Sequence, residues 1–176
     1  DSDLPAGAGL SSSAALLVAL LRGLRTLFGL RLDDLEIALI AQAAETDFVG
    51  AGVGIMDQMA CSLGQAGAAL FIDTRTLRVE RVALPVGFEL AVVDSGVSHR
   101  HAGGGYGRRR DESFAAAAAL GVSHLRDVGA DDLERLAILP PPLQNRARHV
   151  VGENTRVLEA VMALRSNNLA TLGRLL

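Results

Sequence analysis

Residues 7–16 read GAGLSSSAAL: two glycines, three consecutive serines, then a long apolar run. A glycine loop that enters a helix turns backbone N–H groups outward. The helix N-terminus adds partial positive charge, so such a stretch makes an anion site. Serine hydroxyls add donors for phosphate oxygens, and one can ligate Mg²⁺. The stretch is neither the lysine-containing phosphate loop G-x-x-x-x-G-K-[ST] nor the dinucleotide fingerprint G-x-G-x-x-G. A serine-capped helix behind a glycine turn explains the same residues without a ligand.

Residues 44–58 read AETDFVGAGVGIMDQ. Glu45 is expected near the end of one helix and Asp57 in the first turn of the next. A nucleotide site needs a carboxylate for Mg²⁺ and often another near the acceptor hydroxyl. The plainer reading makes Glu45 a surface acid and Asp57 a first-turn acid favoured by the helix dipole. Other conspicuous residues carry less. His99 and His101 supply two ligands, too few for a metal site. Arg108 to Arg110 read as a solvated face near Asp111 and Glu112. Cys61 reads as a small apolar packing residue and His149 as structural.

These residues need elements to hold them. The Ala- and Leu-rich stretch from Ser12 to Phe28 predicts a helix that Gly29 can end. Asp33 and Glu36 have the spacing of a capping box, predicting a second helix to about Thr46. A glycine-broken loop follows, then a short helix from Ile55 to about Leu63. AALFID (68–73) and LRVERVAL (77–84) predict a hairpin turning at residues 74–76, and FELAVVDS (88–95) a further strand. A glycine-rich loop at residues 103–107 then leads to a helix containing AAAAAL. Pro140 to Pro142 break the chain before a long helix from about Gln144 to Arg165, and a last helix begins at Asn168. The layout is α+β, with a division into two lobes near Gly87.

The 176 residues are 49% hydrophobic, yet Arg22 interrupts the richest apolar run, so no membrane span is expected. All 17 basic residues are arginine, the formal net charge is -3 and the signs are mixed along the chain, which argues against a nucleic-acid binder. Cys61 is the single cysteine, excluding an internal disulfide and fitting a reducing cytoplasm. No secretory leader is expected.

The motifs resemble the galactokinase family of the GHMP sugar and small-molecule kinases. GAGLSSSAAL resembles the family's phosphate loop, and AETDFVGAGVGIMDQ the segment with its metal carboxylate and catalytic aspartate. HRHAGGGYGRRRDE (99–112) is similar to the stretch holding a sugar-contacting tyrosine, and RARHVVGENTRVLEA (146–160) to a later helix. GLSSSA indicates only the superfamily, whereas GIMDQ with RARHVVGEN is more specific. The resemblance implies a GHMP kinase-like two-lobe fold. Residues 1–87 would belong to its N-terminal domain and residues 88–176 to its C-terminal domain.

It implies ATP-dependent phosphorylation of the C1 hydroxyl of galactose, in a cytoplasmic protein that is monomeric when full length. Gly7, Ala8, Gly9, Leu10, Ser11, Ser12 and Ser13 would wrap the ATP phosphates, and Ser13 and Glu45 would hold Mg²⁺. Asp57 would be the catalytic group facing the anomeric hydroxyl, and Tyr106 would contact the sugar. Two positions depart from the family pattern: Leu17 replaces a common acid and Thr46 a common Asn or His. The chain resembles an internal fragment, lacking the family's earlier sugar-recognition segment and later glycine-rich motif, and is expected to be inactive alone. A kinase for another sugar and a non-catalytic galactose and ATP sensor are the alternatives.

Overall fold

Helix α1 (Ser12–Phe28) starts and stops where its composition predicts. Gly29 ends it in the left-handed conformation, φ 62°, with its N–H bonded back to the Arg25 carbonyl. Glycine takes that conformation without the Cβ clash that costs other residues about 1 kcal/mol. The computed structural model describes Leu4, residues 9–93 and residues 105–176, without the side chains of residues 130–132. Gly7 and Ala8 of the loop, His99, His101 and the expected strand end at Asp94 and Ser95 lie outside the described residues. The chain divides into two compact units, Asp1–Ala102 and Gly103–Leu176, a division later in the chain than the Gly87 boundary.

In the first unit, α2 (Asp34–Ala43) opens on the predicted capping box. The Asp33 carboxylate accepts from Glu36 N–H and the Glu36 carboxylate from Asp33 N–H, both at 2.7 Å. The helix does not simply end at its C-terminus. Residues Ala44–Phe48 widen into a single π-helical turn, a deviation common near functional sites. After the glycine loop, α3 (Met56–Leu63) forms as expected. Strands β1 (Ala68–Asp73) and β2 (Arg78–Ala83) make the predicted antiparallel hairpin, pairing Ala68 with Ala83 and Asp73 with Arg78.

Two apolar clusters hold this unit. Val18 of α1 packs with Ile37 and Ala41 of α2, flanked by Leu17, Leu21, Leu32 and Cys61. Ala38, Ile55 and Met59 pack against Ile72, Leu77 and Val79 of the hairpin. Ile37 and Met59 are fully buried, and burying side chains of this size stabilises by about 1.5–3 kcal/mol each. The further strand is not observed: residues 88–93 join no ladder, and Leu90, Val92 and Val93 are exposed. An apolar run becomes a strand only by pairing its backbone, and these residues have no strand partner among the described residues.

In the second unit, α4 (Gly105–Ala119) already includes Gly105 and Gly107, so the expected glycine loop is helical from Gly105 onward. Two 3₁₀ segments, Leu125–Asp127 and Ala130–Ile138, precede α5 (Pro141–Arg165). That helix starts earlier than predicted. Prolines are tolerated in the first turn, where their missing N–H would have had no partner. Asn168 caps α6 (Leu169–Leu175) by accepting from Thr171 N–H. The core is Ala116, Ala117 and Leu120 against Leu125, Leu136, Ala147 and Val151, with Val128 and Leu139.

Candidate functional site

The start of α1 is not a serine-capped helix. Ser11 occupies the N-cap position in the left-handed conformation, φ 54° and ψ 39°, and its side chain makes no capping hydrogen bond. The Ser11 carbonyl accepts from Ala15 N–H, so the helix is joined to the loop through backbone alone. The first turn holds no acid. Gly9 is also left-handed, φ 75°, and Gly9, Leu10 and Ser13 are exposed while Ser11 and Ser12 are half-buried. A serine in this conformation costs roughly 1 kcal/mol. The result is a helix N-terminus with serine hydroxyls beside it and no side-chain cap on its N–H groups, a form suited to an anion.

Glu45 is buried, contrary to the surface reading of it, and sits in the π-helical turn. One of its carboxylate oxygens accepts from the Gln58 side-chain amide, and Gln58 is itself buried. The glycine loop closes beside it, with Ala51 N–H donating to the Glu45 carbonyl at 2.9 Å. Asp57 is half-buried in the first turn of α3, next in sequence to Gln58. Cys61, one helical turn on, reports both carboxylates: burial pushes its thiol up, and the negative charges of Asp57 and Glu45 push it further. Glu45, Asp57, Gln58 and Cys61 therefore share one neighbourhood.

A polar network fixes the three helices around it. Arg22 of α1 donates to the Ser62 carbonyl at 2.6 Å and lies 3.5 Å from the Asp34 carboxylate. Arg25 reaches the same carboxylate at 2.9 Å, and the Ser62 hydroxyl donates to the Asp34 carbonyl at 2.6 Å. The sequence reading missed Gln58, Ser62 and Arg22. A signal was there for two of them: Ile55, Gln58, Met59 and Ser62 are spaced along one face of α3, and that face is buried. Polar residues at apolar-stripe positions mark buried hydrogen bonds.

Tyr106 stands exposed on α4 of the second unit. His149 is exposed on α5 and lies 4.0 Å from Glu153, so it is a surface group rather than a packed one. Arg108 pairs with Glu112 at 3.0 Å, and Arg110 lies over the Phe114 ring at 5.6 Å, as suits a solvated face. No group of three or more His, Cys, Asp and Glu side chains able to hold a metal occurs among the described residues. None of their helices is long and apolar enough to cross a membrane.

The uncapped helix start, the buried glutamate and the first-turn aspartate coincide with a family match. Residues 1–65 match the model of the GHMP kinases N terminal domain. The fold of the chain, mixed helix with a small antiparallel sheet, matches part of the galactokinase fold. Along its length the chain is similar to galactokinases. That of Thermotoga neapolitana is 45% identical over 176 residues, which are 99% of this chain and 49% of the relative. That of Chloroflexus aurantiacus is 47% identical over 182 residues, 100% of this chain and 47% of the relative. The solved structure of Lactococcus lactis galactokinase complexed with galactose superposes with a TM-score of 0.79 at 28% identity. The match covers 99% of this chain and 47% of that one. The chain thus spans about half the length of the curated relatives it matches.

Proposed function

We propose that the protein carrying these 176 residues is a galactokinase, transferring the γ-phosphoryl group of ATP to the C1 hydroxyl of galactose in the cytoplasm, as a monomer. The observation that carries this reading is the joining of Glu45 and the Asp57 turn through a buried hydrogen bond, in a domain whose first helix has an uncapped N-terminus. In this reading residues 7–13 hold the ATP phosphates through backbone N–H groups and serine hydroxyls. The C1 oxygen of galactose attacks the γ-phosphorus, and the bond from that phosphorus to the oxygen retained by ADP breaks. Asp57 orients the C1 hydroxyl and takes its proton as transfer proceeds. Tyr106 contacts the sugar.

A buried carboxylate and a serine-lined helix start in the same unit are groups that suit Mg²⁺, which keeps several waters and takes one or two carboxylates plus substrate phosphates. Ser13 and Glu45 would hold it, and when bound it would neutralise charge on the phosphates. The test is a coupled ADP assay on the whole protein with galactose, glucose and no sugar, the product identified by phosphorus NMR. Galactose-dependent ADP release with galactose 1-phosphate as product is expected. Binding of both ligands without turnover, or turnover with glucose in preference, overturns the assignment.

A further inference from the structure

We infer that Gln58 is a positioning residue that sets the Glu45 carboxylate relative to Asp57; this rests on the kinase reading above. Gln58 is 1% exposed and Glu45 7%, so both side chains have left water. The Gln58 amide nitrogen donates to one oxygen of Glu45. Its carbonyl oxygen is buried without a hydrogen-bond partner. Leaving a buried acceptor unsatisfied is destabilising, so a glutamine is a poor choice here for stability alone. An apolar side chain of the same length would fill the space without that cost.

The bond's location supplies a reason. Glu45 lies in a single π-helical turn, a departure from regular helix that is frequent at functional sites. Asp57 lies on the first turn of α3, immediately before Gln58. The hydrogen bond therefore ties the carrier of one carboxylate to the carrier of the other, across the glycine-containing loop between them. A carboxylate that binds a metal is commonly oriented by such a neighbour, whose loss weakens metal affinity about 10–100-fold.

The experiment substitutes Gln58→Met, equal in length and unable to donate, in the whole protein. Mn²⁺ binding in the presence of a non-hydrolysable ATP analogue is read by electron paramagnetic resonance, beside the Mg²⁺ dependence of ADP release. Mn²⁺ affinity should fall about tenfold, with the Mg²⁺ midpoint rising to match and the galactose KM within about twofold of the parent. In a Glu45→Gln background, Gln58→Met should move neither midpoint further, since its effect passes through Glu45. If Gln58→Met does not fold, Gln58→Asn, one methylene too short to reach, takes its place with the same expectations. An unchanged Mn²⁺ affinity in a folded variant, or shifts that add in the double variant, overturn the inference while leaving the kinase reading intact. A parent protein without galactose-dependent turnover overturns the kinase reading, and a parent that binds no Mn²⁺ with the analogue overturns the inference itself.

Discussion

The two units solve the same packing problem with different materials. Among the described residues, the buried polar side chains are Glu45, Gln58 and Ser62, and all three belong to the first unit. The second unit closes round alanine, leucine and valine, and keeps its principal charge pair, Glu112 with Arg146, at the edge of that core. Burying polar groups costs free energy even when they are paired, and an apolar core of similar volume is often at least as stable. The first unit therefore retains groups that stability alone would not select. It also holds two residues in left-handed backbone, Gly9 and Ser11, ahead of a helix without a side-chain cap. Polar burial sets the first unit apart, and Ser11 adds a strained residue directly ahead of α1.

Substitutions at the carboxylates and serine loop of the first unit should therefore act on turnover, and those at the charge pair of the second on stability. The largest effect is expected from Asp57→Asn in the whole protein: a fall of roughly 10²-fold or more in turnover, with sugar and nucleotide binding kept. Near-normal turnover in the ADP assay would remove Asp57 from the chemistry. Next comes Glu45→Gln, which should raise the Mg²⁺ needed for half-maximal rate by about tenfold. Ser13→Ala should do so more mildly, because a hydroxyl carries no charge. Titrating Mg²⁺ at fixed ATP checks both, and unchanged midpoints would sink the metal assignment.

The smallest effect belongs to the second unit. Hydrogen bonds from Arg146, then Arg108, together with their charges, hold the Glu112 carboxyl below its ordinary value, and partial desolvation opposes them. A carboxyl lowered on folding contributes stability that is fully present above its unfolded value. That contribution is lost as pH falls through the lower folded value. Glu112→Gln should thus lower the melting temperature slightly at pH 7 and make the melting curve less sensitive to acid below about pH 4. A variant with the parent's acid sensitivity would show that this pair does not couple to folding.

Much of the scaffold was legible because its signals are local. Gly29, the Asp33 and Glu36 pair and Asn168 each mark a helix end by satisfying backbone groups within a few residues. The hairpin follows from two short β-prone runs on either side of a turn. Prolines misled, since Pro141 and Pro142 fit the first turn of α5 rather than break the chain before it. Residues 88–93 also misled, because hydrophobic content can propose a strand but only a neighbouring backbone can make one. At the site, the sequence marked the loop, Glu45 and Asp57 as candidates by residue type and motif. Gln58 was within the quoted motif and passed over.

What the sequence by itself determined is therefore the set of helices, the hairpin and the chemical types available to the site. Those depend on interactions a few residues apart, which composition and spacing encode directly. Tertiary structure decided that Glu45 is buried rather than exposed, that Gln58 reaches it across thirteen positions, and that Arg22 and Ser62 lock α1 and α3 together over forty. Contacts at such separations depend on how helices pack, and burial then turns an ordinary polar side chain into one that must find a partner.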